Sequence, residues 1–343
     1  MVKYNKANEI KTAVVGYGAA FNMGRHHLTD MKRAGMIPTA VAELDRQRLE
    51  VAKEDFPGIE TYTSVRAMLE QSDVDLVTLI TPHNTHAKLA LQCLASGRHV
   101  ICEKPMAITT SQCDAMIKEA AKRKLLVSTF HNRHWDGCVM QALKRVKGGA
   151  IGSIHRVHAR LGHYGRPGKE WRNSKSISGG IMYDWGVHVL EYALQIIDDD
   201  IVEVSGFAHR GYWQSQTVWK SDTNEDEATA VVRFKNGVWL TITVSQLDVH
   251  HHPFWLEFNG TKGSYSFAHD KWQTVILRSG KTIVTQGPNP LSQWHRYYQN
   301  IANHLVKREP LVITGEWARR PIHIIDLAGR SARQGKTLNA KYK

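Results

Sequence analysis

The chain has 343 residues, 42% hydrophobic and 22% charged, enough for two domains that each bury a core, with the balance of a soluble globular protein. Its apolar runs, such as DLVTLITP, fall far short of the ~20 residues of a membrane span, and the opening MVKYNKANEIKTAVVGYG holds no apolar leader. The net charge of +13 and pI near 9.5 are spread along the chain without a nucleic-acid motif, so they read as a field that attracts anions, an anionic cofactor included. Cys93, Cys102, Cys113 and Cys138 form no CxxC pair and no metal spacing, and read as the reduced thiols of a cytoplasmic protein.

From residue 11 to about 130, short β-rich runs alternate with helical stretches. KTAVVGYG, TAVAELD, DLVTLITP, HVICEKP and LLVSTFH are strand-like. GRHHLTDMKRAG, RQRLEVAKED, THAKLALQCLASG and SQCDAMIKEAAKRK lie between them and are helical. Strands separated by helices of this length predict right-handed crossovers and a doubly wound parallel sheet over residues 1–130. Over residues 131–343 the rhythm changes to long β runs, and an α/β domain with a mixed or mostly antiparallel sheet is expected, its helices on one face. Asn236-Gly237 suits a type I′ hairpin turn. SQWHRYYQNIANHLVKR and PIHIIDLAGRSARQG form a helical tail.

VVGYGAAFNMGRHH follows the first strand and opens a helix, the context of a dinucleotide loop. Gly16 permits the tight turn and Gly18 the close approach of a pyrophosphate; Ala19, Phe21 and Asn22 complete the loop. A strict GxGxxG would place its third glycine at Phe21. Here Gly24 follows three residues later: either the loop has a small insertion, the favoured reading because GRHH resumes a helix at once, or Phe21 replaces the glycine and loosens the packing. Glu43 ends the second strand where a carboxylate binds the adenosine ribose and repels a 2′-phosphate, so NAD is expected over NADP; Asp45 is the alternative acid.

Thr81, Pro82 and Asn84 end the fourth strand-like run and are expected to contact the cofactor, with His86 supporting that loop or simply starting a helix. Glu103-Lys104-Pro105 lies at the C-terminal end of the next strand, where doubly wound sheets bind ligands. In GGIMYDWGVHVLEY, residues 179–192, helical periodicity puts Asp184, His188, Glu191 and Gln195 on one stripe, predicted to face a cleft. ARLGHYGRPGKEWRN offers Arg160, His163, Tyr164, Trp171 and Arg172, and VHHHPFW offers His251; rings for sugar C–H faces and polar tips for hydroxyls fit a carbohydrate. The triple histidine lacks matching carboxylates, so no metal is expected.

These motifs, together with HNRHW, GAIGSIHRV, EDEATAVVRFKNG and PLVITGEWARRPIHIIDLAGRSARQG, make nearly the whole chain resemble the glucose–fructose oxidoreductase / inositol dehydrogenase / rhizopine-catabolism (Gfo/Idh/MocA) family. The resemblance implies an N-terminal Rossmann domain and a C-terminal α/β domain with an open, mostly antiparallel sheet. That sheet commonly joins subunits, so a homodimer or homotetramer is expected. It also implies that Lys104, Asp184 and His188 match the family's catalytic lysine, aspartate and histidine, and that the Lys-Pro bond is often cis. The expected reaction is NAD-dependent oxidation of a secondary hydroxyl of a sugar, cyclitol or glycoside. His188 would take the hydroxyl proton, Lys104 would hydrogen-bond the same oxygen, and Asp184 would bind a neighbouring hydroxyl or orient the base. The same residues could serve a redox-assisted cleavage with no net oxidation; a non-catalytic NAD or sugar sensor is a more distant rival. This chain departs from the family in its longer glycine loop and in Ile181, where relatives often have a third glycine.

Overall fold

A computed structural model describes residues 4–341. The chain divides into two compact units, one reaching Asn132 and taking back His295–Arg319, the other comprising Arg133–Trp294 and the chain from Arg320 onward.

The first unit is built on β1 (Lys11–Val15), β2 (Ile37–Ala42), β3 (Glu60–Tyr62), β4 (Leu76–Leu79), β5 (His99–Cys102) and β6 (Val127–Thr129), all parallel in the order β3-β2-β1-β4-β5-β6. Helices α1 (Met23–Arg33), α2 (Arg46–Asp55), α3 (Val65–Gln71), α4 (His86–Ala95) and α5 (Thr110–Arg123) connect them. Val14, Val41, Val77 and Val100 are fully buried, as strands covered on both faces require. The strand order reverses between β1 and β4, and the C-terminal ends there form the crevice in which such sheets bind ligands.

In the second unit, β7 (Ile154–Gly162), β8 (Ile201–His209), β9 (Glu227–Phe234), β10 (Trp239–Ser245), β11 (Leu256–Gly260), β12 (Gly263–Phe267), β13 (Lys271–Arg278), β14 (Lys281–Pro288) and β15 (Leu338–Asn339) form one sheet. All neighbours are antiparallel except β7 and β10, whose register runs from Trp239↔Arg156 to Ser245↔Gly162. The two folds are those the sequence predicts. Leu240, Ile242 and Val244 alternate with Trp239, Thr241 and Thr243 along β10, so one face is buried and the other open. The buried face packs on α6 (Gly137–Lys147) and α8 (Gly186–Ile197); a short α7 (Lys175–Ser178) precedes α8. Among the described residues no helix is long and apolar enough to cross a membrane.

Three local expectations are corrected. At the hairpin tip only Gly237 has positive φ, whereas type I′ needs it at both central residues; Asn236 instead accepts the Val238 N–H at 3.0 Å. The last helix, α10 (Gly315–Gln334), starts six residues before Pro321, because the Thr314 hydroxyl caps it by accepting the Trp317 N–H at 3.1 Å. The preceding helix, α9 (Arg296–Lys307), belongs to the first unit, where Tyr297 hydrogen-bonds Ser128 at 2.8 Å and meets Phe130 edge-on.

Candidate active site

The glycine loop shows why each small residue stands where it does. Gly16 has φ +101°, and a Cβ there would lie 2.5 Å from the Ile80 carbonyl oxygen. Gly18 opens onto space, while a Cβ at Gly24 would strike the Tyr17 ring at 2.5 Å, so Gly24 performs the packing task of the third glycine. Ala19, Phe21 and Asn22 are exposed between them. Asn22 adopts a left-handed φ of 50° and leads into α1, whose first turn has no side-chain cap, leaving its N–H groups for an anion. Glu43 accepts the backbone N–H of Tyr17 at 2.6 Å, of Leu44 at 2.6 Å and of Asp45 at 3.0 Å. A carboxylate offers about four acceptor positions, so one remains for a ribose hydroxyl. Asp45 is committed elsewhere, capping α2 through the Gln47 N–H at 2.8 Å.

At the ends of β4 and β5, one imidazole sits between two loops. His86, fully buried, lies 2.8 Å from the Thr81 carbonyl through Nε2 and 2.8 Å from the Pro105 carbonyl through Nδ1. Burial holds its pKa below the ordinary histidine value. The Thr81 hydroxyl pairs with Thr85 at 2.6 Å, Pro82 precedes the turn and Asn84 is exposed on it. The Lys104-Pro105 peptide is cis, and the half-buried Lys104 donates its N–H to its neighbour Glu103 at 2.9 Å.

In the second unit the single helix predicted over 179–192 is broken. A 3₁₀ turn, Ile181–Tyr183, precedes Asp184, and α8 begins only at Gly186. Gly179 and Gly180 have positive φ of 93° and 137°, and the Ile181 N–H is taken by Glu225 at 3.2 Å. The polar stripe is corrected too: Glu191 and Gln195 face no cleft but are buried, Glu191 lying 2.5 Å from His134 Nδ1 and accepting from Gln195 at 3.0 Å. His188 is buried with its ring 5.6 Å from that of Trp185.

A cavity of about 690 Å³ opens beside this segment. It gathers Arg160, His163, Tyr164, Arg172, Asp184 and His251, six of the residues singled out in the sequence. His188 and Trp171 do not line it; His188 backs the lining residue Trp185, and Trp171 stacks under the Arg172 guanidinium at 4.5 Å. Arg172 Nε lies 4.0 Å from Asp184. Arg160 reaches the cavity already paired with both oxygens of Asp248, one at 2.8 Å, and the Arg160 hydrogen bonds hold that carboxyl below its usual range. Asn224, Gln246 and Trp255, missed in the sequence, also line it, as does Ile181. Among the described residues no group of three histidine, cysteine or acidic side chains is placed to hold a metal.

Glu225 is the other residue that sequence reasoning missed, since nothing local marks a carboxylate 44 positions downstream as the anchor of a turn. Lys175 and Arg210 each donate to it at 2.6 Å. Burial alone would raise its carboxyl, but the charge and hydrogen bonds of these cations pull it down to about 2. Glu225→Gln should lower stability by about 3 kcal/mol at neutral pH, because Lys175 loses its buried counter-charge. The carboxylate stabilises the fold fully above its unfolded pKa of ~4.3 and loses that contribution as pH falls toward its folded value. Denaturant titrations from neutral pH to the acid limit should therefore show the wild type losing its advantage over the variant below that range; an advantage unchanged by acid would contradict the clamp.

Residues 10–131 match the model described as an oxidoreductase family with an NAD-binding Rossmann fold, and residues 139–266 match the GFO/IDH/MocA C-terminal domain. A myo-inositol 2-dehydrogenase of Thermotoga maritima is 27% identical over 78% of this chain and 78% of its own length. A scyllo-inositol 2-dehydrogenase (NADP(+)) of Bacillus subtilis is 26% identical over 97% and 96%. The structure of a levoglucosan dehydrogenase in complex with NADH and levoglucosan shares the fold with a TM-score of 0.82 at 18% identity, over 97% of this chain and 99% of that one. Since the two models together match well over half of its residues, this chain belongs to the Gfo/Idh/MocA family of oxidoreductases and carries that family's NAD-binding Rossmann domain.

Proposed function

We propose that this protein oxidises a secondary hydroxyl of a sugar, cyclitol or glycoside, with Lys104, Asp184 and His188 serving one reaction. The observation that carries the reading is the cavity, where Asp184, Arg172, Asn224 and Gln246 supply hydroxyl partners and Trp185 and Trp255 supply apolar faces. The inositol dehydrogenases among its relatives support a cyclitol or sugar.

The first unit fits a dinucleotide: an uncapped helix start for the pyrophosphate, open space at Gly18, and Glu43 with one acceptor position left for the ribose. The fixed charge of Glu43 favours NAD over a 2′-phosphorylated cofactor. NAD, when bound, supplies the hydride acceptor. Lys104 hydrogen-bonds the substrate oxygen and stabilises the negative charge that grows there. His188 takes the hydroxyl proton, a task suited to an imidazole. Asp184 binds an adjacent hydroxyl, while Arg172 at 4.0 Å steadies it.

A panel of polyols, sugars and glycosides followed at the NADH absorbance, with product analysis, tests the reading. One equivalent of NADH per ketone is expected, and Lys104→Ala should lower kcat by about 10²-fold or more. Product formed while the absorbance stays flat would replace dehydrogenation by redox-assisted cleavage, and a fully active Lys104→Ala would remove the lysine from the chemistry.

We also propose that the open face of the second sheet carries the subunit contact of a homo-oligomer. Trp239, 38% exposed, meets His158 edge-on at 5.6 Å there, and Phe207 is 63% exposed on β8. Light scattering should give a multiple of 38.8 kDa that Trp239→Arg reduces; a monomeric wild type would contradict the proposal.

A further inference from the structure

Beneath β5 lies a row of buried polar groups that the chemistry above does not use. Tyr298 on α9 places its hydroxyl 2.6 Å from Nδ1 of His27 on α1. His27 Nε2 lies 3.0 Å from one oxygen of Glu103, and the other oxygen accepts the Lys104 N–H at 2.9 Å. Thr78 completes the row, 3.3 Å from the Tyr298 hydroxyl. His27 and Tyr298 are each 1% exposed.

The carboxylate fixes one proton of the row. Burial alone would raise the Glu103 carboxyl, but the His27 hydrogen bond and the neighbouring positive charges hold it below its ordinary value, so it acts only as an acceptor. Nε2 of His27 must then carry the hydrogen. When the ring is neutral, Nδ1 receives the Tyr298 hydroxyl proton; when it is protonated, Nδ1 donates to the Tyr298 oxygen and that hydroxyl turns to Thr78. That hydroxyl stays protonated because burial pushes its pKa well up. In either case Glu103 holds a hydrogen on Nε2 and Tyr298 bounds the ring on its other side, as second partners orient working histidines elsewhere.

Apolar side chains of the same shape would cost less to bury than such a row. What the row provides is a Glu103 carboxylate fixed in one orientation, with one oxygen on the main chain of Lys104. We propose that His27 and Tyr298 are positioning residues, which lock Glu103 so that it fixes the Lys104 amide and the direction in which that lysine leaves β5. On the far side Nδ1 of His86 lies 2.8 Å from the Pro105 carbonyl. The proposal rests on the assignment of Lys104 to the chemistry.

The test uses the full chain with NAD and a polyol that it turns over. Nitrogen-15 spectra of labelled histidine should show His27 with a hydrogen on Nε2, and Tyr298→Phe should disturb the ring. His27→Leu and Tyr298→Phe should lower kcat by about tenfold, with the KM for NAD moving less than about threefold, and His27→Gln, which keeps a donor facing Glu103, should recover most of the rate. Should His27→Leu fail to fold, Tyr298→Phe removes a single oxygen and carries the measurement. An Nδ1–H tautomer, or folded His27→Leu and Tyr298→Phe with wild-type kcat while Lys104→Ala is crippled, would overturn the positioning role alone. A fully active Lys104→Ala would instead sink the lysine assignment beneath it.

Discussion

A carboxylate taken out of water must be met by donors before a chain can close over it, because an unpaired buried charge costs several kcal/mol. This constraint organises the functional segments of both units. Glu103 is held between His27 and the Lys104 main chain. Glu225 is held by Lys175, Arg210 and the Ile181 N–H. Glu191 is held by His134 and Gln195. Asp136, fully buried, accepts from Tyr192 at 2.6 Å and from Trp294 at 2.5 Å, with Arg133 and Ser292 at 3.2 Å. Each of these acids fixes a turn or helix that bears a candidate working residue, so rigidity and charge compensation come from the same contacts.

The frameworks around these acids differ. In the first unit the parallel sheet sets the direction: strands β1, β4 and β5 bring Gly16, Thr81 and Lys104 to one set of C-terminal ends. In the second, the parallel pairing of β7 with β10 inside an antiparallel sheet sets Arg160 beside Thr243 and brings the β7 end close to Asp248. That closeness depends on Gly162, where a Cβ would stand 2.1 Å from the Asp248 carboxylate. Arg160 thereby becomes a structural cation held by Asp248, while Arg172 Nε lies 4.0 Å from Asp184 on the cavity wall.

Much that depends on local pattern was readable from the amino acids, the turn at Asn236-Gly237 and the start of α10 excepted. Apolar runs alternating with amphipathic stretches announced the strands and helices of the first unit, and glycine spacing announced the phosphate loop. The late third glycine was legible as an insertion, and the clash that a Cβ at Gly24 would make with Tyr17 gives its physical reason. Partners far away in sequence were not readable. Periodicity carries a helix through Asp184, yet α8 begins only at Gly186, and the turn before it is anchored by an acid 44 positions on that takes the Ile181 N–H. Tyr298 sits in what reads as a C-terminal tail and pairs with His27, 271 positions earlier. No propensity or spacing encodes such pairings, because burial and hydrogen-bond demand decide them only once the chain is folded.

The proposed reaction has Lys104 and His188 serve a single chemical step. Residues acting as a unit show losses that fail to multiply. A double-mutant cycle of Lys104→Ala and His188→Asn on kcat for polyol oxidation measures this directly. The account predicts that each change alone lowers kcat by about 10²-fold or more and that the double variant is little worse than the weaker single one. Losses that multiply independently, or a single variant with undiminished turnover, would contradict it.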